Sequence, residues 1–271
     1  MNLTLNLHFA RTRNIGDLCS LPMLYFDLPK PVQSWHVLSP LPNLPNVNLL
    51  FGGGGIDPNP CVERAVRSIA GHRGKKVLWG GGTHLNNGVF SSASVVELFD
   101  LAGIRDWVPE YKKASWVPCA SCMSKLFDKR REVKHGVVVF EHENIPLGLA
   151  GIPRMTNFWK PSRGLRHVQY PKPKDVLDYF AECVEFLGSG ETVISTSYHG
   201  TYWATLLGKK VVAVPAPQRD KFLLFKYPPV LSNRQGCLSA RAGARAYPEA
   251  LEACRSANET FSRRVIDFLA R

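Results

Sequence analysis

The segment ETVISTSYHGTYWATLLGKKVVAVP places Ser195, Ser197, His199 and Gly200 at the junction of two kinds of pattern. An apolar run ends at Ser195; Trp203, Leu206 and Leu207 then follow helical spacing up to Gly208, before the second apolar run KKVVAVP. This order predicts a β-α-β unit whose turn, Ser195 to Gly200, opens a helix. Backbone N–H groups and the positive end of a helix dipole attract an anion at such a turn. An imidazole beside that anion titrates near neutral pH and can move a proton. A lone histidine at a helix start also serves as an ordinary structural hydrogen-bonding residue, so spacing alone leaves His199 uncommitted.

A second set of candidates lies at the ends of β-prone runs in the N-terminal half. LTLNLHFA, Leu3 to Ala10, is followed by the turn RTRNIGD, which carries Asn14, Gly16 and Asp17. A carboxylate there can accept a proton from a substrate hydroxyl, or cap a helix. VNLLF, Val47 to Phe51, empties into Gly52 to Gly55, with Gly53 and Gly54 as candidate ligand-approach positions. KKVLW, Lys75 to Trp79, runs into Gly80 to Gly82 and then THLNNG, which carries His84. Two glycine-ended strands suggest one sheet edge lining a cleft. His84 and the EHEN cluster, Glu141 to Asn144, follow strands and can face the same cleft, although ordinary loop hydrogen bonding also accounts for them. Cys119 and Cys122 in CASC lack a second pair at zinc-site spacing, so no metal is expected and the thiols read as structural.

The elements that must hold these residues follow α/β grammar. Asn59 and Pro60 start a helix that runs to Gly71, and another is expected near Ser94 to Ala102. GVVVFEHEN, Gly136 to Asn144, reads as a strand, and Ile145 to Pro173 as a long loop. Val176, Leu177, Phe180, Cys183, Val184 and Leu187 share a helical face closed by Gly188. Pro248 to Leu269 forms a last helix with Leu251, Cys254, Phe261, Val265 and Phe268 inward. A boundary near Lys134 gives domains 1–134 and 135–271, the second closed by that helix.

The chain has 271 residues and is 45% hydrophobic, which suits one large or two small cores. Its net charge of +12 favours an anionic partner. The basic residues are scattered and no nucleic-acid-binding motif occurs, so nucleic acid is not expected. Seven cysteines, an odd number, and no secretory leader pattern point to a reducing cytoplasm. No run reaches the ~18 apolar residues of a membrane span, so membrane contact would be peripheral.

PKDVLDYF followed by VISTSYHGTYWATLLGKKVVAVP, together with NIGD and the glycine-ended strands, resembles the polysaccharide pyruvyltransferase family. The resemblance rests on Asn14, Gly16 and Asp17, on Gly53 to Gly55, and on Ser195, Ser197, His199 and Gly200. It implies an α/β fold of two Rossmann-like domains facing a cleft, GT-B-like, with acceptor bound on the N-terminal side and donor on the C-terminal side. It further implies transfer of pyruvate from phosphoenolpyruvate to two sugar hydroxyls, forming a ketal and releasing phosphate, without metal or cofactor. The acceptor would be a polymer or a lipid-linked glycan, and a lipid-linked acceptor would bring the basic enzyme to anionic head groups at the inner face of the cytoplasmic membrane. On this reading His199 is the acid or a phosphate-binding group and Asp17 the acceptor-side base. Many members carry Arg where this chain has Ser197, so anion binding must draw on other cations. Lys209, Lys210, Arg219, Lys221 and Lys226 follow the motif, Arg154, Lys160, Arg163 and Arg166 precede it, and Lys221 is the candidate chosen. Two rival readings are a GT-B nucleotide-sugar glycosyltransferase and a non-catalytic glycan-binding relative.

Overall fold

The computed structural model describes residues 2–42, 46–54, 69, 71–82, 96–109, 112–160, 170–215 and 220–271. They fall into two compact units. The first comprises Met1–Thr12, Asp17–Met123 and Cys254–Arg271; the second comprises Arg13–Gly16 and Ser124–Ala253. The division therefore lies between Met123 and Ser124, ahead of the boundary expected near Lys134.

In the first unit β1 (Thr4–His8), β2 (Val32–His36), β3 (Asn48–Gly52), β4 (Lys76–Gly81), β5 (Leu101–Ile104) and β6 (Ser115–Trp116) form one parallel sheet in the order β2-β1-β3-β4-β5-β6. Its inner strands are apolar on both faces because both faces are covered. Leu5, Leu7, Leu49, Phe51 and Leu78 pack on one side with Val96 and Phe99. Leu50, Val77 and Trp79 pack on the other with Phe261, Val265 and Leu269 of the C-terminal helix, Ala250–Ala270.

That helix thus returns to the first sheet and does not close the second domain, as the sequence reading had it. The Trp79 indole donates to Asn258 Oδ1 at 2.8 Å, and Asn258 Nδ2 donates to the carbonyls of Pro118 and Cys254. Phe261 meets Trp79 edge-on at 5.3 Å. Helical period identifies a buried face but not the sheet that buries it. At the helix end Leu269 is the buried residue, while Phe268 is half-buried beneath the Lys75 ammonium.

Other expectations in this unit shift. Leu101 and Ala102, assigned to a helix, begin β5. The polar edge strand VQSWH (β2) has too little apolar alternation to stand out, as edge strands often do. Apart from Ile69 and Gly71, the helix expected from Asn59 to Gly71 lies outside the described residues.

In the second unit β7 (His135–Glu141), β8 (Arg154–Thr156), β9 (Gly190–Ser195), β10 (Lys210–Ala213) and β11 (Val230–Leu231) form a parallel sheet in the order β8-β7-β9-β10-β11. Counted along the chain, the first sheet runs 2-1-3-4-5-6 and the second 2-1-3-4-5, the doubly wound order. Helix α1 (Ile15–Leu18) is a single turn; α2 (Pro173–Gly188) precedes β9, and α3 (Tyr198–Leu206) joins β9 to β10. All nine residues of α3 are buried, so the β-α-β unit expected there forms with a helix that is covered all round. On α2 Leu177 leaves the expected inner face and is 55% exposed. The expected 145–173 loop contains β8, which pairs with β7 through Val139 and Arg154. A three-residue edge strand leaves no periodicity to read. Among the described residues no helix is long and apolar enough to cross a membrane.

Candidate functional site

A doubly wound sheet binds ligands where strand order reverses, beyond the carboxyl ends of the two strands that diverge there. In the second unit those strands are β7 and β9, paired as far as Phe140 and Ser195. Beyond them the Thr196 N–H donates to the Phe140 carbonyl at 3.2 Å. The Thr196 hydroxyl accepts from the His142 N–H at 2.7 Å and donates to the Ile145 carbonyl at 3.0 Å. Thr196, which the sequence reading did not single out, ties the two strand ends together.

The turn into α3 is shaped by its own hydroxyls. Ser195 Oγ accepts from the Ser197 N–H and donates to the Ser197 carbonyl, both at 3.0 Å. Ser197 is the N-cap, its Oγ accepting from the Gly200 N–H at 3.3 Å. Both serines are buried and their hydroxyls are engaged in the turn, so they act on the site by fixing backbone shape. An Arg at position 197 has no acceptor for that cap. Gly200 is required for packing: a Cβ there would lie 2.6 Å from Ser195 Oγ and overlap the Phe140 ring.

His199 follows, 4% exposed, with its ring against Tyr198 (5.5 Å, edge-on) and Trp203 (5.4 Å). Gly16 lies against the same ring. A Cβ built on Gly16 would fall 2.8 Å from His199 Cε1 and closer still to Cγ and Nδ1. Any side chain at 16 therefore displaces the imidazole.

Gly16 is delivered by an antiparallel bridge between Asn14 and Phe158. The Ile15 N–H donates to the Asn157 carbonyl and the Trp159 N–H to the Arg13 carbonyl, both at 2.9 Å. Asn14 Oδ1 accepts from the Gly16 N–H at 3.0 Å and from Asn157 Nδ2 at 2.9 Å. Asn14, not Asp17, therefore caps α1, and Asp17 lies inside that helical turn. Asn157, only 1% exposed, is a further site residue that its sequence context did not announce.

On the other side of the bridge Phe158 meets the His142 ring edge-on at 5.4 Å. His142 Nδ1 accepts from the Asn144 N–H at 3.3 Å, which assigns the proton of the neutral ring to Nε2. Burial holds the His142 pKa below its ordinary value, and Lys221, in the short helix α4 (Asp220–Leu223), pushes it further down, with Glu143 opposing. One isolated backbone bridge thus seats two imidazoles, His199 through Gly16 and His142 through Phe158. Glu141, the other acid of the EHEN cluster beside the strand, spends an oxygen on the Leu147 N–H at 2.6 Å and anchors the following loop.

In the first unit the corresponding reversal lies between β1 and β3. Gly53 and Gly54 leave β3 with φ of 88° and 85°, a region that suits glycine. A Cβ on Gly54 would sit 3.2 Å from the Phe9 ring and 3.6 Å from Asp17 Oδ1. Asp17, Gly53 and Gly54 therefore gather at this strand end. Past β5, Arg105 and Asp106 are buried, and a Cβ on Gly82 would lie 2.6 Å from the Arg105 guanidinium carbon. IRDW carries no spacing that marks this buried pair. His84 lies outside the described residues, as do Gly55, Arg163, Arg166 and Arg219.

Of the other cations considered, Lys209 and Lys210 are at the amino end of β10, away from the Ser195 turn. Lys209 donates to the Gly188 carbonyl at 2.6 Å and Lys210 pairs with Glu191 at 2.9 Å. The CASC thiols are buried in the first unit: Cys119 donates to Ser20 Oγ at 3.2 Å and Cys122 accepts from Asn258 at 3.4 Å. Among the described residues no cluster of three or more His, Cys, Asp or Glu is placed to hold a metal ion.

No protein-family profile matches the chain, and no curated protein does. Among solved structures it is similar to the crystal structure of an uncharacterized protein from Klebsiella pneumoniae subsp. pneumoniae NTUH-K2044. The two share 13% identity at a TM-score of 0.53, with 86% of this chain and 92% of that one covered. At that identity the likeness shows a common α/β fold alone.

Proposed function

We propose that this chain is a polysaccharide pyruvyltransferase. It would move the enolpyruvyl carbons of phosphoenolpyruvate onto two hydroxyls of a sugar in an exopolysaccharide or lipid-linked glycan, as a ketal, with release of phosphate. The observation that carries the reading is the seat of His199 on Gly16: the two segments that bear the family resemblance, NIGD and STSYHG, meet through these residues at the strand-order reversal of the second sheet. Two doubly wound parallel sheets are also what a GT-B-like transferase carries.

The chemistry asks for an anion site, an acid and a base, and the second unit carries candidates for the first two. Phosphoenolpyruvate is a compact polyanion, and the head of α3 with Lys221 supplies a positive field for it. Protonation of the methylene carbon needs an acid near neutral pH; a buried imidazole fixed by Gly16 and Trp203 suits that role. The oxocarbenium-like centre that results is attacked by a sugar hydroxyl, whose proton leaves to a base.

Incubation with phosphoenolpyruvate and candidate glycans tests the proposal. Acceptor-dependent phosphate release, with a ketal-linked pyruvyl group on the glycan, is the expected outcome. Turnover with a nucleotide sugar alone would replace it by the glycosyltransferase reading, and glycan binding without turnover by the binding-module reading.

A further inference from the structure

Past the Ser195 turn, the carboxyl edge of the second sheet continues into a cavity. The Val214 N–H donates to the Ser195 carbonyl at 2.8 Å and the Ser232 N–H to the Ala213 carbonyl at 3.0 Å, so the segments leaving β10 and β11 rise from the edge that carries the turn. Pro215 on the first segment, Leu231, Ser232 and Asn233 on the second, and Gly236 and Ser239 beyond them line a cavity of about 690 Å³. That is within the ~300–1,000 Å³ usual for ligand sites. From β9 to β11 is two strand spacings, about 10 Å, so the cavity stands on the same edge as the turn that presents His199.

Its wall is held by its own hydrogen bonds. Asn233 Oδ1 accepts from the Gly236 N–H at 2.7 Å, and the Gly236 carbonyl accepts from the Ser239 hydroxyl and the Ala240 N–H, both at 2.9 Å. Behind them Cys237 is buried in the core with Leu147, Ile194 and Val212. These bonds decide what the wall can offer a ligand. With Oδ1 committed, the Asn233 amide offers two N–H donors; Ser239 Oγ, its proton committed, offers lone pairs; Ser232 Oγ can donate or accept. A Cβ on Gly236 would lie 3.1 Å from Ser232 Oγ and 3.2 Å from Asn233 Oδ1, so those two side chains converge over the glycine.

We propose that this cavity binds a neutral sugar residue. Calling that sugar a part of the acceptor glycan rests on the pyruvyltransferase reading; the site itself does not. Among the described residues no charged side chain lines the cavity, so an anion or a metal ion entering it would give up water without gaining a countercharge. Donors and acceptors instead alternate with the apolar surfaces of Pro215 and Leu231, which matches a pyranose, with hydroxyls around its rim and C–H groups on its faces. A nucleobase is also neutral and carries both kinds of group, but proteins hold bases largely by stacking. Among the described residues no aromatic side chain lines the cavity. A glycan seated here follows the edge that ends in the Ser195 turn, so one sugar is gripped while a neighbour in the same chain reacts.

The probes are three neutral disaccharides, cellobiose, lactose and maltose, titrated into the full chain by saturation-transfer NMR. At least one should bind, and the side-chain amide resonances of Asn233 should move as it does. Ser232→Ala should weaken that binding by about three- to tenfold, the scale of one neutral hydrogen bond. Ser239→Leu, at an exposed position where the larger side chain leaves folding intact, should abolish it by filling the cavity. In the pyruvyl-transfer assay Ser232→Ala should raise the KM for the glycan and leave kcat near that of the wild type. Failure of all three disaccharides to bind the folded wild-type chain overturns the proposal. So does unchanged affinity in folded Ser232→Ala and Ser239→Leu, or displacement of the disaccharide by uracil or adenine, which would make the cavity a base site. Disaccharide binding without pyruvyl transfer would retire the acceptor assignment and leave the sugar site standing.

Discussion

The imidazole of His199 rests on the backbone of Gly16, so closely that no Cβ fits between them. Gly16→Ala therefore reports directly on the seat of the ring. Overpacking of this kind costs about 1–3 kcal/mol. The expected outcome is a melting temperature a few degrees lower, together with a loss of pyruvyl transfer far larger than the loss of folded protein. Equal losses in both would mean that the contact serves stability alone.

Asn14 holds that glycine in place by accepting from two donors, the Gly16 N–H and Asn157 Nδ2. Asn14→Ala strands a buried amide and should cost about 1–3 kcal/mol in urea unfolding. Asn14→Asp keeps the acceptor and should recover most of it. A double-mutant cycle with Asn157→Ala should return a coupling of at least about 0.5 kcal/mol; additive effects would contradict the shared hydrogen bond.

The C-terminal helix is bound into the first unit by Asn258, which satisfies Trp79 and two carbonyls. Asn258→Leu leaves those groups unpaired and should destabilise by about 1–3 kcal/mol, and Phe261→Ala by about 3–5 kcal/mol. Denaturant titration measures both. Trp79 makes tryptophan fluorescence a second readout, and an unchanged unfolding midpoint in either variant would contradict this placement of the helix.

His8 closes β1 beside His36 at the matching end of β2, with Nε2 2.6 Å from Ser34 Oγ. Burial, with His36 adding to it, lowers the His8 pKa to about 4; burial and Arg11 lower that of His36 as well. Both rings are thus held neutral in the folded state. A folded pKa below the unfolded value of 6.5 means that the unfolded chain binds protons first as pH falls. Stability is then complete above about pH 6.5 and declines from there towards pH 4, by about 3 kcal/mol for His8. Urea midpoints between pH 7 and pH 4.5 should show this slope, and His8→Asn should reduce it. A midpoint constant over that range would count against the burial of His8.

Much of this architecture is written in local pattern. β1, β3, β4, β7, β9 and β10 are buried apolar runs ending in turn residues, and α2 shows its inner face by period. The STSYHG turn is readable because strand, turn and helix are contiguous. What stays hidden is long-range. Nothing near NIGD signals that Asn14 pairs with Asn157 or that Gly16 meets His199, and the C-terminal helix carries a buried face without an address. Short edge strands such as β8 and β11 have too few residues to show a period. The hydroxyls of Ser195 and Ser197 look like ligand contacts in the sequence, yet they build the turn that presents His199.

The central claim is tested most directly by His199→Asn in the phosphoenolpyruvate assay. A folded variant, judged by a melting temperature close to that of the wild type, should lose at least about a hundredfold in acceptor-dependent phosphate release, the scale of one acid–base group. Ketal formation at the wild-type rate by that folded variant would contradict the account.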